Sequence, residues 1–142
     1  MNHGWNLGKL PPTVGLPAEY FAKRGITLDC RGPLVIDKAS YWGFGVVVLT
    51  ESHDITGWPR LGVVIPYGVT VDAGAWIGSC ALLAGCHIGA GASVAAGTVV
   101  LGQDVASSVM VAGNPARVIA RWNGERWEYL PERECGYSRR LE

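Results

Sequence analysis

The 142-residue sequence shows no excess of charge of either sign, since twelve Lys and Arg balance twelve Asp and Glu. Such a balance does not fit a nucleic-acid or polybasic membrane footprint. No apolar run nears the ~18 residues that a spanning helix needs. The start, MNHGWNLGKLPP, lacks the charged-then-apolar pattern of a signal peptide. The expectation is a soluble, cytoplasmic protein. Four cysteines occur, Cys30, Cys80, Cys86 and Cys135, and none form a CxxC pair. They read as small, buried, reduced thiols rather than metal ligands. Histidine is scarce too, with His3, His53 and His87 only. What remains is 49% apolar, enough for one domain to bury a core without staples.

Glycine is the abundant residue, at twenty, and it marks a repeat. From Ile65 the chain divides into IPYGVT, VDAGAW, IGSCAL, a five-residue step LAGCH, then IGAGAS and VAAGTV. An aliphatic residue opens each unit: Ile65, Val71, Ile77, Leu83, Ile88 and Val94. Small or β-branched residues hold the fifth place of the six-residue units: Val69, Ala75, Ala81, Ala92 and Thr98. A weaker frame precedes it, with Cys30, Ile36, Trp42 and Val48 six apart and Leu34, Ser40, Val46 and Ser52 in fifth place. An insertion from Asp54 to Val64 interrupts the two.

Six residues make one short strand and a turn, with alternate side chains facing inward. Glycine supplies the turn conformations. Three units close a three-sided coil, and stacked coils pair their backbones at ~4.8 Å. About ten units give a little over three coils, and a single coil could not bury its own inner face. A β-sandwich would instead show period-two runs with turns every 8–12 residues.

Three stretches carry a resemblance: AWIGSCALLAGCHIGAGASVAAGTVV, the closing VMVAGNPARVI, and LTESHD, where the apolar pattern stops at His53. Over roughly residues 30–121 the chain resembles the hexapeptide-repeat acyltransferases, of the galactoside, maltose and colanic-acid O-acetyltransferase kind. The fold class this implies is all-β, a left-handed parallel β-helix with a short N-terminal cap and a C-terminal extension. The spacing gives the coil; the hand comes from the resemblance and runs against the usual crossover preference. The expected division is a cap over 1–25, the β-helix over 26–121 with its loop insertion at 54–64, and an extension over 122–142.

The resemblance further implies a homotrimer that binds acetyl-CoA as co-substrate between subunits and transfers the acetyl group to a small hydroxyl-bearing acceptor. A sugar or nucleotide-sugar is the first expectation for that acceptor. No metal, nucleic-acid or membrane partner is implied. His53 corresponds to the general base, a role for an imidazole because that group titrates near neutrality and a hydroxyl is a poor nucleophile unaided. Glu51 or Asp54 would support the ring, and alternation does not choose between them. Ser79 and Ala96 would line the pantetheine channel. Gly113, Asn114 and Pro115 would form the turn leaving the last coil, and Arg117 would meet a phosphate, with Arg121 assisting. Trp76 would pack at a corner or, the less favoured alternative, stack on the adenine. Relatives often follow the segment matching GTVV with Thr-Lys, whereas Leu101, Gly102 and Gln103 stand here, so either CoA binds more weakly or Lys9, Arg60 or a tail arginine replaces a phosphate-contacting lysine.

Elsewhere, Ala18 to Arg24 suits a short helix closed by Gly25, capping the open coil end. Asn123-Gly124 suits a turn between two short strands, and Trp58 in the insertion suits acceptor contact or wall packing. His87, ending LAGCH, is the competitor to His53: the shortened unit either exposes its ring in a groove or, the favoured reading, uses it to fill the corner. Two other functions fit the repeat. One is a non-catalytic trimeric scaffold. The other is a γ-carbonic anhydrase-like protein, but Ser79 and Ala84 stand where two of that family's zinc histidines would be.

Overall fold

Inward-facing residues recur through the described chain at fixed steps, and these steps define the architecture. The computed structural model describes residues 9–53 and 64–135, with side chains for all but 64–66. Helix α1 (Ala18–Ala22) comes first, then β1 (Thr27–Leu28), β2 (Leu34–Ile36), β3 (Tyr41–Trp42) and β4 (Val47–Leu49). A hairpin follows, β5 (Glu51–His53) and β6 (Val64–Pro66). Then come β7 (Val69–Val71), β8 (Trp76–Ile77), β9 (Leu82–Ala84), β10 (Cys86–Ile88), β11 (Ser93–Val94), β12 (Val99–Leu101) and β13 (Val109–Ala112). The chain closes with β14 (Arg117–Trp122), β15 (Trp127–Tyr129) and α2 (Glu132–Cys135).

The chain visits three parallel sheets in rotation. The first sheet pairs β2, β7 and β10; the second pairs β3, β8, β11 and β13; the third pairs β1, β4, β9 and β12. One full coil is 17 residues, which sets 69 beside 86, 76 beside 93 and 82 beside 99. The axis is filled by Ile36, Trp42, Val48, Val71, Ile77, Leu83, Ile88, Val94, Val100, Val105 and Val111, all buried. Each such side chain contributes roughly 1.5–3 kcal/mol by leaving water. The small residues between them, Ala75, Ala81, Ala92 and Thr98, are buried as well, where a coil corner has no room for more.

Three details depart from the repeat frame. The five-residue step from Leu83 to Ile88 is no single slip, because Val100 to Val105 repeats it at the same corner, with Val105 bridged to Ile88. The buried residue in the unit-opening place before Ile36 is Leu28, eight positions back and paired with Val48, while Cys30 is only half-buried at the corner. Ser52 and Ile65 do not belong to coil units; they pair with one another in the antiparallel hairpin β5–β6. The thiols also differ among themselves, since Cys86 and Cys135 are buried but Cys80 is exposed.

Phe21 of α1 is wholly buried and meets the Trp42 ring edge-on at 5.7 Å, which closes the lower end of the coil. At the upper end the chain turns back: β14 runs antiparallel to β13, and β15 antiparallel to β14 through the Asn123-Gly124 turn. Helix α2 then lies against β14. No helix among the described residues is long and apolar enough to cross a membrane.

Candidate functional site

At the corner between the second and third sheets, successive coils stack Phe44, Ser79, Ala96 and Gly113 in one column. Backbone bonds tie the column together, from Cys80 N–H to Phe44 O (2.8 Å), Gly97 N–H to Ser79 O (2.8 Å) and Val99 N–H to Gly113 O (3.0 Å). The packing allows no bulk beneath it. A side chain at Gly78 would bring its Cβ within 2.5 Å of the Ala96 amide nitrogen.

A groove of about 580 Å³ opens at the top of this column. Ala95, Ala96, Ala112 and Gly113 make its small-residue floor; Asn114, Pro115 and Arg117 bound it on one side. The groove therefore gathers four of the residues expected to hold the cofactor: Ala96, Gly113, Asn114 and Arg117. Arg117 begins β14 and is exposed there, with its guanidinium available to an anion. Arg121 is not among the lining residues. Ser79 is not either. It lies one coil lower, and its Oγ accepts the Phe44 N–H at 3.0 Å, so the hydroxyl is used within the corner.

Ile119 and Cys135 complete the lining. Cys135 arrives from α2, after two antiparallel strands, and no periodicity in the sequence points to it. Where a lysine is missing, Gln103 donates through Nε2 to Ala116 O (3.1 Å), which buttresses the turn that carries Pro115. Lys9 is exposed in the segment below the first coil, far along the axis from this groove. Arg60, Trp58, Asp54, Arg139 and Arg140 lie outside the described residues, and Arg126 and Arg133 are not among the residues that line the groove.

His53 ends β5 and is exposed. Glu51 shares its strand face by alternation and stands 3.6 Å from Arg31 Nε. The hairpin leaves the coil at the corner between the third and first sheets, whereas the groove lies at the corner between the second and third. In one chain the imidazole and the groove therefore flank the third sheet from opposite edges. Three extended residues span about 10 Å, too far for a single side chain to bridge.

His87 does not fill its corner. Its ring projects from the outer face of β10, half exposed, with Nε2 2.6 Å from Asp72 Oδ2. Trp76 is exposed on the outer face of the second sheet rather than packed at a corner, and its ring stacks on Tyr41 at 6.3 Å. Among the described residues no three His, Cys, Asp or Glu side chains cluster as a metal site requires.

The fold is similar to that of hexapeptide-repeat acetyltransferases of known structure. VCA0836 of Vibrio cholerae, a hexapeptide-repeat acetyltransferase, is 29% identical with a TM-score of 0.51, over 63% of this chain and 56% of its own. A second structure of that protein, complexed with acetyl-CoA, aligns at 24% identity and a TM-score of 0.54, over 68% and 63%. A maltose O-acetyltransferase from Clostridium difficile 630 is 23% identical, with a TM-score of 0.53, over 66% and 61%. AntD of Bacillus cereus, an N-acyltransferase crystallised with coenzyme A and a dTDP-amino sugar, is 18% identical with a TM-score of 0.53, over 61% and 50%. Matches below 25% identity speak to the fold alone, and the chain spans between half and two thirds of the length of these proteins. No protein-family model and no curated protein sequence matches it.

Proposed function

We propose that this chain is an acetyl-CoA-dependent O-acetyltransferase with a left-handed coil, acting as a homotrimer on a small hydroxyl-bearing acceptor, a sugar or nucleotide-sugar. The observation that carries the reading is the groove over Ala96 and Gly113, walled by Asn114 and Arg117. A floor of small residues lets a thin chain such as pantetheine approach the backbone, and an exposed guanidinium at the rim suits a phosphate. VCA0836, similar in fold and 29% identical, is an acetyltransferase that binds acetyl-CoA.

In this reading His53 of one subunit faces the groove of the next. Its imidazole takes the proton of the acceptor hydroxyl as that oxygen forms a bond to the thioester carbonyl carbon. The carbon–sulfur bond breaks, and the same ring returns the proton to the leaving thiolate. Glu51 lies on the face of β5 that bears His53 and supports its ring. The apolar outer face of the third sheet, with Val47, Leu49, Leu82, Val99 and Leu101, supplies the surface for trimer contact, and Leu101 is 65% exposed in one chain.

A screen of acceptors for CoA release, run beside His53→Ala, tests this. The variant should fold, bind CoA and lose ~10²–10⁴ in turnover. Near-normal turnover would remove His53 from the role. A scaffold with no chemistry is favoured by one feature, the Leu101-Gly102-Gln103 segment where a phosphate-contacting lysine is absent. Failure of saturating CoA to raise the unfolding temperature would select that reading.

A further inference from the structure

The corner from which the hairpin springs carries a second cavity, of about 260 Å³, that the groove and His53 do not use. Its shape follows from the short step. At Gly85 the chain turns with φ +55°, and a Cβ there would come within 2.8 Å of Tyr67 Cβ, so the Tyr67 side chain lies directly on the turn. Tyr67 also donates its N–H to Thr50 O (2.8 Å), which makes it the foot of the hairpin. Its ring, half exposed, forms one side of the cavity.

The opposite side is polar. Thr70 and His87 are register partners on the outer face of the first sheet, ~4.8 Å apart as paired strands are. The coil below contributes Asp72, whose carboxylate fixes the His87 ring through Nε2. The coil above contributes Asp104, whose Oδ1 accepts the His87 backbone N–H at 3.0 Å. The Asp72 carboxylate engages Nε2, which leaves Nδ1 as the ring's second polar atom. Asp104, Thr70, Tyr67 and His87 thus offer acceptors and donors around a space lined on one side by an aromatic ring. Burial, and then the charge of Asp104, push the Cys86 thiol up to about 12, so it supplies no thiolate here.

We infer that this cavity is the acceptor site and that it takes an uncharged polyhydroxylated compound rather than a nucleotide-linked one. The inference rests on the acyltransferase reading. Hydroxyl groups match the alternating donors and acceptors, and a sugar ring has an apolar face for Tyr67. Asp104 is the charged residue that lines the cavity, Asp72 stands behind the His87 ring, and the lining holds no Lys or Arg, so a diphosphate is disfavoured there. The place fits as well, at the foot of the hairpin that carries His53.

Saturation-transfer NMR on the full chain tests this with glucose, galactose and maltose, and with UDP-glucose as the charged counterpart, while CoA binding is titrated separately. The neutral sugars should bind. Asp104→Asn, which keeps an acceptor for the His87 N–H, and His87→Ala should each weaken them about ten-fold or more and leave CoA binding unchanged. No neutral sugar bound by a protein that binds CoA would overturn the inference, as would sugar binding indifferent to Asp104→Asn. Tighter binding of UDP-glucose than of glucose would overturn it too. Sugar binding that responds to both variants in a protein unable to bind CoA would support the cavity and remove the reaction assigned to it.

Discussion

Asp29 has no surface in contact with solvent, and both of its carboxylate oxygens are held by Arg31, two residues along the chain. Arg31 Nε meets Oδ1 at 2.8 Å and a terminal nitrogen meets Oδ2 at 3.0 Å. The backbone N–H of Arg31 and that of Thr50 donate to the same carboxylate at 3.2 Å each. Thr50 in turn donates through Oγ1 to Asp29 O and accepts the Gly32 N–H. The corner of the first coil is thereby fixed to the foot of the hairpin that bears Glu51 and His53. Removing Arg31 leaves a buried carboxylate with backbone donors only. Arg31→Ala should cost about 3 kcal/mol, the low end for a broken buried pair because Arg31 is itself partly solvated. Thermal unfolding should fall by roughly 10 °C; a change of under 2 °C would contradict this role.

Acid should expose the same pair. Burial pushes the Asp29 carboxyl up, but the hydrogen bonds from the Arg31 side chain, then those from the Arg31 and Thr50 amides, outweigh it and hold the group below its ordinary value. A carboxyl lowered in the folded state adds stability above its unfolded value of about 4, and that stability is lost as pH falls through the folded value. The gap in unfolding temperature between wild type and Asp29→Asn should therefore be widest near pH 7 and close as pH drops below about 4. A gap independent of pH would sink the assignment.

Leu101 stands 65% exposed at the end of the third sheet's apolar outer face. A charge there should separate the subunits. Leu101→Glu should convert a trimer into monomers by sedimentation, and turnover should fall with trimer content, since His53 and the groove lie at different corners. A wild-type protein that sediments as a monomer at micromolar concentration would contradict the shared site.

The coil was legible because its inward residues recur every six positions from Val71 to Val100, with one five-residue step, and glycines mark its corners. Its full period was not. After Val100 the first sheet offers only one bridge residue, Val105, in the sequence GQDVASS, where Gly102 still turns the corner (φ +61°) but no large apolar residue beside Val105 flags a strand. Ser52 and Ile65 continue the alternation of the coil, and nothing in a period distinguishes an antiparallel hairpin from the next rung. The groove residues Ala96, Gly113, Asn114 and Arg117 were readable because they sit in or beside the repeat. Cys135 and the Asp72–His87 pair were not, since one depends on two chain reversals and the other on contact between successive coils.

Arg117 is the exposed cation at the rim of the groove. Its hydrogen bonds to a phosphate would be worth about 1.5–3 kcal/mol. Arg117→Ala should raise KM for acetyl-CoA by about 10- to 100-fold and leave kcat within a few-fold. An unchanged KM would exclude this residue from donor binding.

The most direct measurement is a calorimetric titration of CoA into the wild-type chain and into Ala96→Trp, whose indole fills the floor between Ala95 and Gly113 without touching the coil interior. Binding of one CoA per chain by the wild type, and none by the variant at the same unfolding temperature, is the expected result. Equal binding by both proteins, or none by the wild type, would contradict the groove as the seat of acyl transfer.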